Sequence, residues 1–141
     1  MRVSKTFSFE ASHILPKHPG KCSRLHGHSW KLTVSVDGPI ELDTGFVVDY
    51  AIISMTVQPL IDLLDHHHLG TWEGFVATTY GSWGVPGLLK FYPTSENLLK
   101  FIGEWLLSWS HPLNWSELKL NETCTSEAIL TREEYERTTN R

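Results

Sequence analysis

The chain has 141 residues, a formal net charge of −4, and 40% hydrophobic against 20% charged residues. That is the length of one domain, and a domain of this size buries roughly 68–70% of its unfolded surface, so its core needs no disulfide or structural metal to hold it. The acidic balance without a basic run excludes an electrostatic nucleic-acid binder, and no apolar run approaches the ~20 residues of a membrane helix.

The first ten residues lack the apolar core of a signal peptide, so a cytoplasmic location is expected, with Cys22 and Cys124 reduced rather than joined as a disulfide. Residues 2–11 alternate, Val3, Lys5, Phe7 and Phe9 against Arg2, Ser4, Thr6 and Ser8, which is the period of a half-buried strand. Residues 13–24 hold Pro16, Pro19 and Gly20 and predict a loop. His28 to Asp37 alternates again through Trp30, Leu32, Val34 and Val36, a second strand antiparallel to the first and ended by Asp37-Gly38-Pro39. Residues 50–65 carry Ile53, Val57, Leu60 and Leu64 at helical spacing behind Asp49 as N-cap, and Pro59 should kink or break that helix. Residues 70–92, rich in glycine and holding Trp72 and Trp83, predict a long loop with room for a short hairpin.

Residues 95–109 give the clearest helix, with Leu98, Leu99, Ile102, Trp105, Leu106 and Trp109 on one stripe and Thr94 or Ser95 as cap. Residues 115–122 and 125–130 read as two further strands, Cys124 packing among them, and the polar tail from Thr131 has the composition to begin as a short helix. The order strand, strand, helix, helix, strand, strand predicts a single α+β domain over 1–141, an antiparallel four-stranded sheet with two helices on one face.

Eight histidines direct attention to metal spacing. In His26-Gly27-His28 the two imidazoles stand at i and i+2, which on a strand is one face, and Gly27 removes the side chain between them. His13 ends the neighbouring strand, so three neutral imidazoles can converge. Zinc suits imidazole, and three protein ligands leave a fourth position open, the pattern of a catalytic rather than a structural site. The bland alternative is three polar histidines beside a loop. His18, His67, His68 and His111 read as surface or structural residues.

Cys22 precedes His26 by four positions, with Lys21 and Arg24 beside it. Thiols beside a metal or a guanidinium ionise more readily. Cys22 is therefore a candidate base, nucleophile or fourth metal ligand, the last of which would close the site.

The blocks Phe9-Glu10-Ala11-Ser12-His13 and Cys22-Ser23-Arg24-Leu25-His26-Gly27-His28 resemble the 6-pyruvoyl-tetrahydropterin synthase superfamily. So do Gly45-Phe46-Val47-Val48-Asp49-Tyr50, Leu64-Asp65-His66, Pro93-Thr94-Ser95-Glu96-Asn97-Leu98 and Asn121-Glu122-Thr123, in order along nearly the whole chain. Three residues between the cysteine and His-Gly-His resemble the 6-carboxytetrahydropterin synthase branch, which serves queuosine and 7-deazaguanine biosynthesis. The resemblance implies the tunnelling fold, homo-oligomeric barrels, with a hexamer favoured, and active sites between subunits.

It further implies Zn2+ on His13, His26 and His28, and a lyase that converts 7,8-dihydroneopterin triphosphate to 6-carboxy-5,6,7,8-tetrahydropterin, acetaldehyde and triphosphate. On that resemblance Cys22 moves protons at the side-chain carbons, Asp65 orients His66 as a proton shuttle, and Glu122 anchors the pterin through paired hydrogen bonds. Thr94 and Glu96 line the pterin pocket, or serve only the helix N-terminus. Arg24 and Lys21 meet the triphosphate, or are solvated surface charge. The chain departs from the family at Leu69-Gly70, where an asparagine is common, and in the longer connection to Pro93. A 6-pyruvoyl-type synthase, a non-catalytic zinc- or pterin-binding subunit, and a zinc hydrolase are the competing readings. The hydrolase ranks below the others because the His-x-His motif has no Glu to activate water.

Overall fold

A computed structural model of the chain describes residues 1–70, 88–89 and 91–139. Two long strands, β1 (Arg2–His13) and β2 (His26–Asp37), pair antiparallel along their whole length, with Arg2 opposite Asp37 and His13 opposite His26. Helix α1 (Tyr50–Leu64) follows, then the two-residue strand β3 (His67–His68), helix α2 (Ser95–Ser108), strands β4 (Glu117–Asn121) and β5 (Glu127–Thr131), and helix α3 (Arg132–Thr139). The sheet runs in the order β3-β1-β2-β4-β5, antiparallel throughout except for β3 beside β1.

The expected α+β architecture is present, but the sheet has five strands where the alternation predicts four, and there are three helices among the described residues. β3 pairs with β1 only at Ala11 and Ser12, and two residues are too few to carry a period. α3 is fixed by a capping box: the Thr131 hydroxyl accepts the Glu134 N–H, and the Glu134 carboxylate accepts the Thr131 N–H at 3.0 Å. The first strand ends at His13, where the convergence of the three histidines requires it to end.

α1 and α2 cover one face of the sheet. Asp49 caps α1 through the Ala51 N–H and Thr94 caps α2 through the Asn97 N–H, as their positions predict. α1 runs unbroken through Pro59. The carbonyl that proline leaves without a donor is that of Met55, an exposed residue, so water can satisfy it. Between helices and sheet lie Phe9, Trp30, Leu32, Leu60, Leu98 and Ile102, none more than 2% exposed, each contributing about 1.5–3 kcal/mol by leaving water. Cys124 is exposed in the turn between β4 and β5, not packed in a strand, and both cysteines are free thiols. Most of the predicted loop over 70–92, with Trp72 and Trp83, lies outside the described residues. Among the described residues no helix is long and apolar enough to cross a membrane.

Candidate metal centre

The β1–β2 register assembles the histidines. His13 faces His26 across the ladder, and Ala11 faces His28. All three imidazoles rise from the ends of the two strands on the face that buries Phe9, Ala11 and Trp30. Their ring centroids stand 4.5, 5.1 and 4.9 Å apart, and one ligand atom from each lies within 4.8 Å of the others. Trp30 forms the floor, its ring edge-on to His13 at 5.2 Å and to His28 at 5.3 Å, while its N–H donates to the Ala11 carbonyl.

Hydrogen bonds behind the rings set their tautomers. The Nδ1 of His13 is 2.9 Å from the Pro93 carbonyl oxygen, and that of His26 is 2.7 Å from the Arg24 carbonyl oxygen. A carbonyl only accepts, so each Nδ1 carries the proton, and in the neutral ring Nε2 presents a lone pair. Those two Nε2 atoms lie 3.0 Å apart. Burial pushes the His13 pKa down to about 4, so this ring is neutral at pH 7. Burial also lowers that of His28, against the opposing charge of Glu122. Imidazoles whose lone pairs face one another in this way could hold a cation. Zinc bonded to nitrogen at 2.0–2.1 Å in a tetrahedron separates its donors by roughly 3.3 Å, close to the 3.0 Å between His13 and His26. The residues present therefore fit a metal ion of this class.

The other residues singled out in the sequence divide into three groups. Glu122 joins the cluster: its Oε1 is 3.2 Å from His13 Nε2 and 3.4 Å from His28 Nε2. Cys22 sits half-buried in a single 3-10 turn (Lys21–Ser23) of the loop leading to His26, outside the mutually close set of donors. Arg24 and Lys21 flank it, both exposed.

Asp65 and His66 form a pair on the opposite edge of β1. Asp65 closes α1, and its carboxylate accepts the Glu10 N–H and the His66 Nδ1–H, both at 2.8 Å. Those bonds, the backbone N–H first and the imidazole second, hold its pKa below the ordinary value. His66 takes φ 57°, a left-handed conformation that costs a residue with a Cβ about 1–2 kcal/mol, and its side chain is 79% exposed. His66 lines an open concavity of about 500 Å³ at the ends of β1 and β2, with Glu10, Ser12, His28, Ser29 and His68.

Thr94 is occupied as the α2 cap. Glu96 is exposed and borders a different hollow, with Lys100, Ile129 and Arg137. One residue carries more structure than its sequence suggested. His68 is buried, its Nδ1 3.0 Å from the Ser12 hydroxyl and its Nε2 directly over Gly70. The glycine two positions after it was the available signal.

Three inward histidines at paired strand ends of an α+β sheet form a cluster that could hold a metal ion. The family model described as 6-pyruvoyl tetrahydropterin synthase matches residues 2–133, and the chain belongs to that family. A protein of Haemophilus influenzae named 6-carboxy-5,6,7,8-tetrahydropterin synthase is 33% identical over 138 residues, 89% of this chain and 94% of its own. One of the same name from Synechocystis is 38% identical over 102 residues, 61% of this chain and 79% of its own. The structure of Caenorhabditis elegans 6-pyruvoyl tetrahydropterin synthase superposes with a TM-score of 0.74 at 23% identity, covering 93% of this chain and 94% of the other, a likeness of fold.

Proposed function

We propose that this protein is a zinc-dependent lyase that converts 7,8-dihydroneopterin triphosphate to 6-carboxy-5,6,7,8-tetrahydropterin, acetaldehyde and triphosphate, in the cytoplasmic route to 7-deazaguanines such as queuosine. The observation that carries the reading is the facing pair of Nδ1-anchored imidazoles, His13 and His26, with His28 completing the set. Two relatives named for this reaction, and the three-residue gap between Cys22 and His26, support the carboxy branch.

Bound zinc supplies Lewis acidity to the hydroxyls of the substrate side chain. The chain's own residues do the rest. Cys22 stands on the loop that leads into the cluster and moves protons at the side-chain carbons. Asp65 accepts from His66 Nδ1, which leaves Nε2 facing outward to exchange a proton with substrate. Glu122 accepts the 2-amino and ring N–H groups of the pterin as a bidentate pair. Arg24 meets the triphosphate. Thr94 and Glu96 border the pterin pocket in this reading on the strength of the family block alone.

The dyad and the metal cluster belong to different copies in one working site. Asp65 is fastened to Glu10, three residues before His13, a separation of roughly 10 Å along a strand, and it hangs from the outer edge of β1. A homo-oligomeric ring, with a hexamer favoured, brings the dyad of one copy to the metal of the next.

Incubating zinc-loaded protein with 7,8-dihydroneopterin triphosphate and measuring acetaldehyde, triphosphate and the pterin product tests the reading. All three should appear in equal amounts. Triphosphate without acetaldehyde would assign a 6-pyruvoyl-type synthase instead, and no turnover with pterin still bound would assign a binding subunit.

A further inference from the structure

Glu122 lies where a surface glutamate would not. Leu118 and Leu120 on β4 point into the core, and the alternation continues one step past the strand to place Glu122 on the same buried face. β4 runs antiparallel to β2 with Asn121 opposite Lys31, so the next residue along is carried towards Trp30 and His28. The carboxylate ends 3.2 Å from His13 Nε2 and 3.4 Å from His28 Nε2, with the side chain 27% exposed.

No hydrogen bond accounts for that approach to His13. Its proton is on Nδ1, held by the Pro93 carbonyl, so Nε2 has only a lone pair to offer an oxygen that also has only lone pairs. The Nε2 of His28 is buried and has no hydrogen-bond partner. A negative oxygen 3.2 Å from the lone pair of His13 is stable when a cation lies between them. Glu122 reaches the cluster from the His13–His28 side, since the set of donors within 4.8 Å of one another comprises the three imidazoles alone. It has three rotatable side-chain bonds and an exposed flank, so it can both reach and leave the metal.

We infer that Glu122 is a movable fourth ligand, closing the metal centre in the resting protein and leaving it for the pterin ring when substrate arrives. The second half rests on the lyase reading, which makes Glu122 the pterin anchor. One carboxylate then has two exclusive partners. Binding of the ring frees the metal's fourth position at the moment the substrate's hydroxyls need it, and in its absence the metal is shielded from water and stray anions.

The test uses metal-free protein reloaded with zinc or cobalt(II), and a simple pterin that lacks the side chain and so cannot itself reach the metal. Chelator competition should show zinc bound at least about tenfold more weakly by Glu122→Ala, with Glu122→Gln between the two. Glu122→Gln preserves size and keeps the comparison open should the alanine variant fold poorly. The visible absorption of the cobalt protein should differ between wild type and Glu122→Ala. Adding the simple pterin should shift the wild-type spectrum towards that of Glu122→Ala and leave the variant's unchanged. Equal zinc affinities and identical cobalt spectra would overturn the inference, as would an unchanged wild-type spectrum with pterin bound. Acetaldehyde release is measured separately. A protein that releases it without any Glu122 effect on the metal loses only this inference, and one that exchanges the ligand without turnover loses only the lyase reading.

Discussion

Acidification should unfold the metal-free protein through His13. Its imidazole is fully buried and its pKa falls from 6.5 to about 4, so the unfolded chain takes up a proton that the folded chain refuses. Between those two values the unfolded state binds more protons, and stability drops as pH falls. At pH 5 the gap from 6.5 is 1.5 units, which at 1.36 kcal/mol per unit costs about 2 kcal/mol, rising to about 3 kcal/mol by pH 4. The assay is urea denaturation of chelator-treated protein from pH 7 to pH 5, comparing wild type with His13→Gln, which keeps a donor for the Pro93 carbonyl but does not titrate. His28 shifts in the same direction and contributes to both proteins, so it cancels in the difference. The wild type should lose about 2 kcal/mol more than the variant over this range. A difference that stays flat would mean that His13 accepts its proton within the fold, and the tautomer argument for the metal centre would fail with it. Restoring zinc should move the wild-type acid transition downward, because protons then compete with the ion for the same lone pairs.

Three further substitutions test the packing around the site. At His66, whose φ is 57°, glycine should be more stable than alanine by about 1 kcal/mol in thermal denaturation, and equal stabilities would show that the backbone relaxes. Gly103→Ala brings a methyl to 2.9 Å from Trp115 Cζ2 in the core and should cost about 1–3 kcal/mol, read as a lowered urea midpoint. Gly70→Ala drives its Cβ into His68 Nε2, and the displaced imidazole would leave the Ser12 hydroxyl. That should also cost about 1–3 kcal/mol, and the penalty should vanish in a His68→Ala background; if it persists there, the clash lies elsewhere.

The long strands and both core helices were legible because each repeats its period over ten residues or more, as in Trp30-Leu32-Val34-Val36 or Leu98-Leu99-Ile102-Leu106. The His13–His26 pair followed from them, since two antiparallel strands joined by a loop must place their near ends together. β3 was not legible, because two residues beside β1 are chosen by the chain's exit from α1 rather than by any local pattern. α3 was legible as the polar tail expected to begin as a short helix from Thr131, and Thr131-Arg132-Glu133-Glu134 supplies the capping box that starts it. The position of Glu122 was half legible. Alternation from Leu118 and Leu120 puts it on the buried face, but only the β2–β4 register shows that this face at that level holds histidines rather than leucines.

The proposed ring of copies answers two physical difficulties at once. β1 is covered on its outer side by β3 only at Ala11 and Ser12, so among the described residues its backbone groups from Arg2 to Phe9 have no sheet partner there. β5 is the other edge of the same sheet. Exposed edges of this length invite uncontrolled pairing unless they meet one another in a closed assembly. The dyad of Asp65 and His66 hangs on the β1 edge, held to Glu10, while the imidazoles open on the helix-covered face. A contact that seats the β1 edge of one subunit against a neighbour satisfies the strand and can complete the site, which places assembly and activity under the same interface. Disrupting that edge, with a proline in place of Thr6 for example, whose N–H faces away from β2, should therefore remove turnover and oligomer together in gel filtration and product assays, while zinc binding by the isolated copies survives.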